Sequence, residues 1–135
     1  MRRFRFNPRD QLIPIRAHVS GPLGRRRLNL ILDTGASRTL IVPHLLDELG
    51  YSARQGEART IIRSPAGNEP GYLIRVNQFR ALGHAFDGFR VHAHDLADED
   101  EIDGLLGLDF LRLFDLQFRF EPGIIEAQRN SLLPD

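Results

Sequence analysis

The sequence contains no cysteine, and this absence excludes disulfide bonds and thiolate metal sites. It also contains no lysine: all 18 basic side chains belong to arginine, and 18 acidic side chains balance them to a formal net charge of zero. Nucleic-acid binding is driven by positive surface charge, so this balance argues against a nucleic acid as the main partner. The longest run of consecutive basic residues, Arg25-Arg26-Arg27, follows a Gly-Pro-Leu-Gly segment and indicates a solvated hairpin turn.

Long apolar runs are absent as well. No segment approaches the roughly 20 apolar residues of a membrane-spanning helix. Met1-Arg2-Arg3 leads into Phe4-Arg5 rather than into the apolar region of a signal peptide. These features predict a cytoplasmic protein without a membrane partner. The length of 135 residues is typical of one domain, and no linker or repeat divides residues 1–135.

The apolar residues recur mostly with a period of two, interrupted by glycine and proline, which favours an all-β protein. Two short helices are predicted at residues 43–49, where Pro43 opens the first turn and Gly50 follows the last, and at residues 107–114. Residues 63–71 are rich in turn-forming residues and predict the solvent-exposed tip of a β-hairpin. The predicted strands lie at residues 3–6, 12–19, 28–32, 39–42, 60–62, 72–76, 86–94, 115–120 and 124–125.

The chemically most informative segment is the tripeptide Asp33-Thr34-Gly35, which follows the apolar run 30–32. The run predicts a strand, and the aspartate at its end is placed where reactive side chains are commonly exposed. Thr34 can brace the turn through its hydroxyl group, and Gly35 lets the backbone approach a partner acid or a substrate closely. Two such carboxylates about 3 Å apart cannot both ionise, so together they can supply a base and an acid for peptide hydrolysis.

Two segments carry a resemblance to a known family. Leu32-Asp33-Thr34-Gly35-Ala36-Ser37 resembles the active-site motif of retropepsin-like aspartic proteases, and Gly104-Leu105-Leu106-Gly107-Leu108-Asp109-Phe110-Leu111 resembles the later motif of that family. The resemblance covers most of residues 10–127. It implies a single-domain, retropepsin-like half-barrel with one or two short helices. It also implies an aspartic endopeptidase that acts on peptide or protein substrates without a cofactor or a metal.

The resemblance also implies a role for each matching residue. Asp33 is the expected catalytic carboxylate, Thr34 is expected to hydrogen-bond to its symmetry mate, and Gly35 belongs to the same catalytic turn. Residues 105–107 are expected to form a loop behind this turn. The residues expected to contact the substrate are Gly35, Ala36, Ser37 and Arg38 in the turn, and Ser64, Pro65, Ala66 and Gly67 at the tip of a flap-like hairpin.

The Asp-Thr-Gly motif occurs once, whereas hydrolysis by paired acids needs two carboxylates. The mechanism therefore predicts a homodimer with two-fold symmetry, in which each subunit contributes one Asp33 at the axis. The terminal segments 2–6 and 124–128 are candidates to pair across that axis.

Two positions depart from the pattern of the viral members, which often carry an internal ion pair where Ser37 and Leu108 stand. Neither residue is charged here. We therefore expect Asp109 to cap the second helix near Gly107, and a bond to the region of Thr39 is the alternative.

Ala36 and Arg38 bear on the reaction itself. Ala36 lacks the hydroxyl group that would stabilise an ionised carboxylate, so the predicted activity optimum lies in mildly acidic to neutral conditions. Arg38 occupies a position that lines substrate pockets in the family, and the hypothesis is that it favours an acidic substrate side chain. An exposed turn residue is the alternative for Arg38.

Two other functions remain open at this point. A retropepsin-like dimer without activity could act as a module that binds peptides or a partner protein, although the intact Asp33 argues against it. His92 and His94 precede the acidic run 95–103 and could belong to a metal site, but their spacing fixes no coordination geometry. The acidic run is more typical of a solvated loop.

Overall fold

A computed structural model describes residues 1–64, 67–96 and 102–135, and of residues 62–64 and 67–69 the backbone alone. Within this part of the chain, twelve strands and two short α-helices follow one another. The helices are α1 (Pro43–Glu48) and α2 (Leu108–Leu111). The strands are β1 (Arg2–Arg5), β2 (Pro14–Gly21), β3 (Gly24–Leu32), β4 (Leu40–Ile41), β5 (Ala58–Ser64), β6 (Gly67–Arg75), β7 (Gln78–Ala81), β8 (His84–Asp87), β9 (Arg90–Ala93), β10 (Gly104–Leu106), β11 (Phe114–Arg119) and β12 (Ile124–Arg129).

The strands form two sheets. Nine strands form a curled half-barrel in the order β5-β6-β9-β4-β10-β3-β2-β7-β8, and three form a small sheet in the order β1-β12-β11. The buried apolar side chains of both sheets belong to one core. Phe79 of β7 contacts Phe110 of α2 edge to face, with 5.3 Å between the ring centroids, and both rings are fully buried. This contact anchors α2 in the core.

The strand that leads to Asp33 is held on both sides. Leu28 and Leu30 of β3 are buried, as its apolar pattern predicts. β3 pairs antiparallel with β2 and parallel with β10, where Leu106 lies beside Leu32. β10 pairs in turn with β4. The end of β3 is therefore a fixed position within the half-barrel.

The two helices match their predictions to different degrees. α1 begins at Pro43 and buries Leu45 and Leu46, and the predicted positive φ of the following glycine is present at Gly50, with φ of 93°. α2 is shorter than predicted, because β11 already begins at Phe114. In the part of the chain that the structure describes, no helix is long and apolar enough to cross a membrane.

The hairpin of β5 and β6 is longer than the sequence indicates. Pairing continues from Ala58 opposite Leu73 to Ser64 opposite Gly67, so the predicted hairpin is present and its tip is shorter than the predicted residues 63–71. Backbone hydrogen bonds build this ladder, and they need no apolar side chains. Of the predicted tip residues, Pro65 and Ala66 lie outside the described residues.

The hairpin of β7 and β8 was not predicted: β7 has no counterpart among the predicted strands, and β8 overlaps only the start of the predicted strand 86–94. Its two turn residues, Leu82 and Gly83, have φ of 50° and 77°. Two-residue turns with positive φ are usually signalled by Asn-Gly or Asp-Gly, and leucine gives no such signal. The predicted strand 86–94 is instead divided into β8 and β9 around Gly88, whose φ is 62°.

The two terminal strands pair with each other within one chain. β1 runs antiparallel to β12, from Arg2 opposite Ala127 to Arg5 opposite Ile124. The predicted pairing across a dimer axis would therefore have to use the outer edges of the three-stranded sheet, formed by β1 and β11.

Candidate active site

Asp33 is the first residue after β3, and its backbone is fixed from behind. The Asp33 N–H donates to the Leu106 carbonyl oxygen at 3.0 Å, and the preceding Leu32 N–H donates to the Ile13 carbonyl oxygen at 2.9 Å. The segment 105–107 thus lies directly behind the turn. Two elements distant in sequence determine where the carboxylate of Asp33 stands.

The turn itself orients the carboxylate. The Gly35 N–H donates to Asp33 Oδ1 at 2.9 Å, and the Ala36 N–H donates to the Asp33 carbonyl oxygen at 3.2 Å. A Cβ atom on Gly35 would come within 3.1 Å of Oδ1, so glycine allows the close approach that this bond requires. The turn is joined to α2 by the Leu108 N–H, which donates to the Ala36 carbonyl oxygen at 2.8 Å.

The turn presents its polar groups to solvent. Asp33 and Ala36 are half-buried, whereas Thr34, Gly35 and Ser37 are exposed. No side-chain hydrogen bond holds Thr34 or Ser37 among the described residues, and no second carboxylate there contacts Asp33. One chain therefore displays a single oriented carboxylate beside an open surface.

Two glycines let β10 and α2 approach the turn. A Cβ atom on Gly104 would lie 1.9 Å from the Leu40 carbonyl oxygen, which leaves no room for any side chain. A Cβ atom on Gly107 would lie 2.6 Å from the Arg38 carbonyl carbon and 2.9 Å from the Ala36 carbonyl oxygen. The glycines of the second motif are thus explained by close packing of backbones against the Asp33 turn.

The Asp109 carboxylate supports the segment that follows the Asp33 turn by accepting hydrogen bonds from Thr39. Both carboxylate oxygens accept the Thr39 N–H at 2.9 Å, and Oδ1 also accepts the Thr39 hydroxyl at 2.8 Å and the Phe110 N–H at 2.8 Å. The Thr39 hydroxyl in turn accepts the Gly107 N–H at 3.2 Å. The expected cap near Gly107 is wrong, since the N-cap residue Gly107 has no side chain and Asp109 binds Thr39 instead. The alternative, a bond to the Thr39 region, is confirmed.

The electrostatics of Asp109 are a balance of opposing effects. Burial raises the pKa of this carboxyl group above 3.8, while the hydrogen bonds from Thr39 and Phe110 and the charge of Arg38 lower it. Thr39 is fully buried and Asp109 is 8% exposed. The half-buried Arg38 therefore acts on the support of the turn, a role that the sequence pattern did not suggest.

Asp103 has a structural role at the start of β10. Its Oδ2 accepts the Asn29 N–H at 2.8 Å, and its own N–H donates to the Asn29 carbonyl oxygen at 3.0 Å. These bonds tie the end of the acidic run to β3, four residues before Asp33.

The histidine pair lies in the sheet beside the hairpin. His92 Nε2 and the Thr60 hydroxyl are hydrogen-bond partners, and the ring centroids of His92 and His94 are 6.0 Å apart. Burial, His94 and Arg38 lower the pKa of His92. Among the described residues no group of three or more potential ligands could hold a metal ion, and the acidic residues at 98–101 lie outside them.

Two solved structures have the same fold. The crystal structure of a retropepsin-like aspartic protease from Rickettsia conorii has a TM-score of 0.68 and 21% identity, and the match covers 93% of this chain and 98% of that chain. The EIAV protease complexed with the inhibitor HBY-793 has a TM-score of 0.55 and 21% identity, over 81% of this chain and 92% of that chain. The half-barrel is therefore retropepsin-like, as the sequence motifs imply.

The family follows from the sequence comparison. The aspartyl protease family model matches residues 15–110, a range that includes the first motif and all but the last residue of the second. The chain belongs to the aspartyl protease family. A comparison with curated proteins gives no significant match.

Proposed function

We propose that the protein is an aspartic endopeptidase that acts as a homodimer, with a water molecule activated between two Asp33 carboxylates, one from each subunit. The observation that carries the proposal is the placement of Asp33: its carboxylate is oriented by the Gly35 N–H at the end of β3 and faces an open surface. Membership of the aspartyl protease family supports the reaction class.

The dimer follows from the chemistry of the reaction. A single carboxylate cannot be base and acid at the same step, and no second one contacts Asp33 among the described residues. A two-fold axis beside Asp33 would supply the second acid. The exposed Thr34 is proposed to bond across this axis to its symmetry mate.

The proposed reaction uses the two carboxylates in different protonation states. The ionised one accepts a proton from water, and the protonated one donates its proton to the oxygen of the peptide carbonyl. The resulting hydroxide adds to the carbonyl carbon and forms a tetrahedral diol. When the diol collapses, the carboxyl group that accepted the proton from water donates it to the nitrogen, and the other carboxylate accepts a proton from a diol hydroxyl. The C–N bond breaks, and a carboxylic acid and an amine leave.

Substrate contacts are proposed on both sides of the scissile bond. Gly35, Ala36 and Ser37 lie in the turn and would contact the backbone of the substrate. The β5–β6 hairpin ends at Ser64 and Gly67, and the proposal assigns the flap tip to these two residues together with Pro65 and Ala66. A flap of this kind would exclude water from the reacting centre.

Cleavage of casein or a peptide library between about pH 3 and pH 8 tests the proposed function. We expect pepstatin-sensitive cleavage with an optimum in mildly acidic to neutral conditions. Ala36→Ser adds a hydroxyl that can stabilise the ionised carboxylate, and the optimum should move to lower pH. Absence of cleavage by a folded dimer at every pH would contradict the proposal and favour the peptide-binding module.

Arg38 provides a test of specificity. If its charge also reaches the substrate, Arg38→Ala should abolish any preference for acidic residues near the cleavage site, measured as relative kcat/KM over a peptide library. Arg54→Ala is the matched control, because Arg54 is exposed and lies in a short 3-10 helix, Ala53–Gln55. An unchanged preference in Arg38→Ala would restrict Arg38 to its role beside Asp109.

A further inference from the structure

A second concave site, which Asp33 does not line, lies between the terminal strand β1 and the sheet. It has a volume of about 550 Å³, which is within the range of small-molecule sites. We call it the arginine cleft. Its cationic lining consists of Arg3 and Arg5 from β1, Arg16 and His18 from β2, and Arg80 from β7.

The sheet register brings these charges together from distant parts of the sequence. His18 of β2 lies opposite Arg80 of β7 on one side and opposite Arg27 of β3 on the other. Like charges on directly opposed positions repel each other, so the arrangement costs folding stability. Burial lowers the pKa of His18 most, and the positive charges of Arg25, Arg27, Arg16 and Arg80 lower it further.

Acidic side chains do not compensate this charge. Within the described part of the chain, Arg5, Arg16 and Arg80 form no ion pair. Arg3 has Glu126 at 3.9 Å, but Glu126 is shared with Arg119 at 3.5 Å. A chain with zero net charge therefore concentrates unpaired guanidinium groups around one concave site.

The residues that line the cleft include Leu82, the one non-glycine residue with positive φ in the described chain. Leu82 has φ of 50° and is only 2% exposed. For a bulky residue this conformation is strained, and such strain concentrates at ligand sites. The strained turn holds β7, and with it Arg80, against the cleft.

We propose that the arginine cleft binds a compact anion that carries several phosphate groups. Guanidinium groups match phosphate oxygens in bidentate geometry and stay charged at every physiological pH. Because β1 bounds the cleft on one side, the site is concave, which favours a small polyanion over an extended one.

Isothermal titration with sodium triphosphate at low ionic strength tests the proposal. We expect saturable binding to the wild type, and at least about tenfold weaker binding to the double variant Arg16→Gln/Arg80→Gln. Arg9→Gln/Arg54→Gln removes the same net charge outside the cleft and should bind as the wild type does. Circular dichroism confirms that both variants are folded.

A second measurement uses the wild type alone. Bound triphosphate should raise the pKa of His18, followed by the imidazole proton resonances, because the anion offsets Arg16, Arg25, Arg27 and Arg80. Absence of saturable binding, equal binding by the two double variants, or an unchanged His18 titration would overturn the proposal. Equally tight binding of a glutamate-rich peptide would also overturn it, since the cleft would then serve acidic polypeptides.

Discussion

Asp33→Asn is expected to lower kcat/KM for peptide cleavage by at least about 1,000-fold, or roughly 4 kcal/mol of transition-state stabilisation. The amide can neither accept a proton from water nor return one to the substrate. It keeps the shape of the side chain and an oxygen that can accept the Gly35 N–H. Loss of activity would therefore be a loss of chemistry, and the unfolding temperature should change little.

The matched control for this substitution is Asp87→Asn on the exposed face of β8, which removes the same charge away from the turn. It should leave kcat/KM within about twofold of the wild type. Near wild-type cleavage by Asp33→Asn would assign the reaction to another residue and contradict the proposed mechanism.

Asp109→Leu is expected to lower the free energy of unfolding by about 3–5 kcal/mol, a range typical of breaking a buried charged pair or network. Leucine has a similar volume but leaves the buried N–H and hydroxyl groups of Thr39 without their acceptor. Denaturant unfolding followed by circular dichroism measures the change. A loss below about 1 kcal/mol would show that the network is not a support of the turn.

Asp109→Asn tests the electrostatics of the same site, because it retains one acceptor oxygen and does not titrate. Burial raises the folded-state pKa of Asp109 above the unfolded value of 3.8. Below pH 3.8 the carboxyl group is protonated in both states, and as pH rises the unfolded state ionises first. The stability advantage of Asp109 over Asn should therefore shrink between acidic and neutral pH. An advantage that grows over this range would contradict the raised pKa.

The sequence predicts those parts of the fold in which a local pattern and a tertiary contact agree. The apolar pattern of β3 and the proline at the start of α1 both have the expected counterparts. The β7–β8 hairpin was missed because Leu82 adopts a positive φ that its side chain disfavours. Its burial in the core outweighs that local preference.

In the candidate site, too, local motifs are predictable from the sequence, whereas contacts between distant residues are not. The turn from Asp33 to Ser37 is recognisable from its residues alone, and the segment behind it from the second motif. The bond from Asp109 to Thr39 joins residues 70 positions apart, so a local capping rule gave the wrong partner. The arginine cleft likewise arises from strands that only the sheet register brings together.

Subunit mixing tests the central claim most directly, since it asks whether one active site needs two Asp33 residues. Equal amounts of wild-type and Asp33→Asn subunits are combined, allowed to exchange, and assayed at the total subunit concentration of a pure wild-type sample. If each site needs an Asp33 from both subunits, only wild-type pairs are active and about one quarter of the activity remains. A remaining activity of about one half would show that each chain works alone, and would contradict the shared active site.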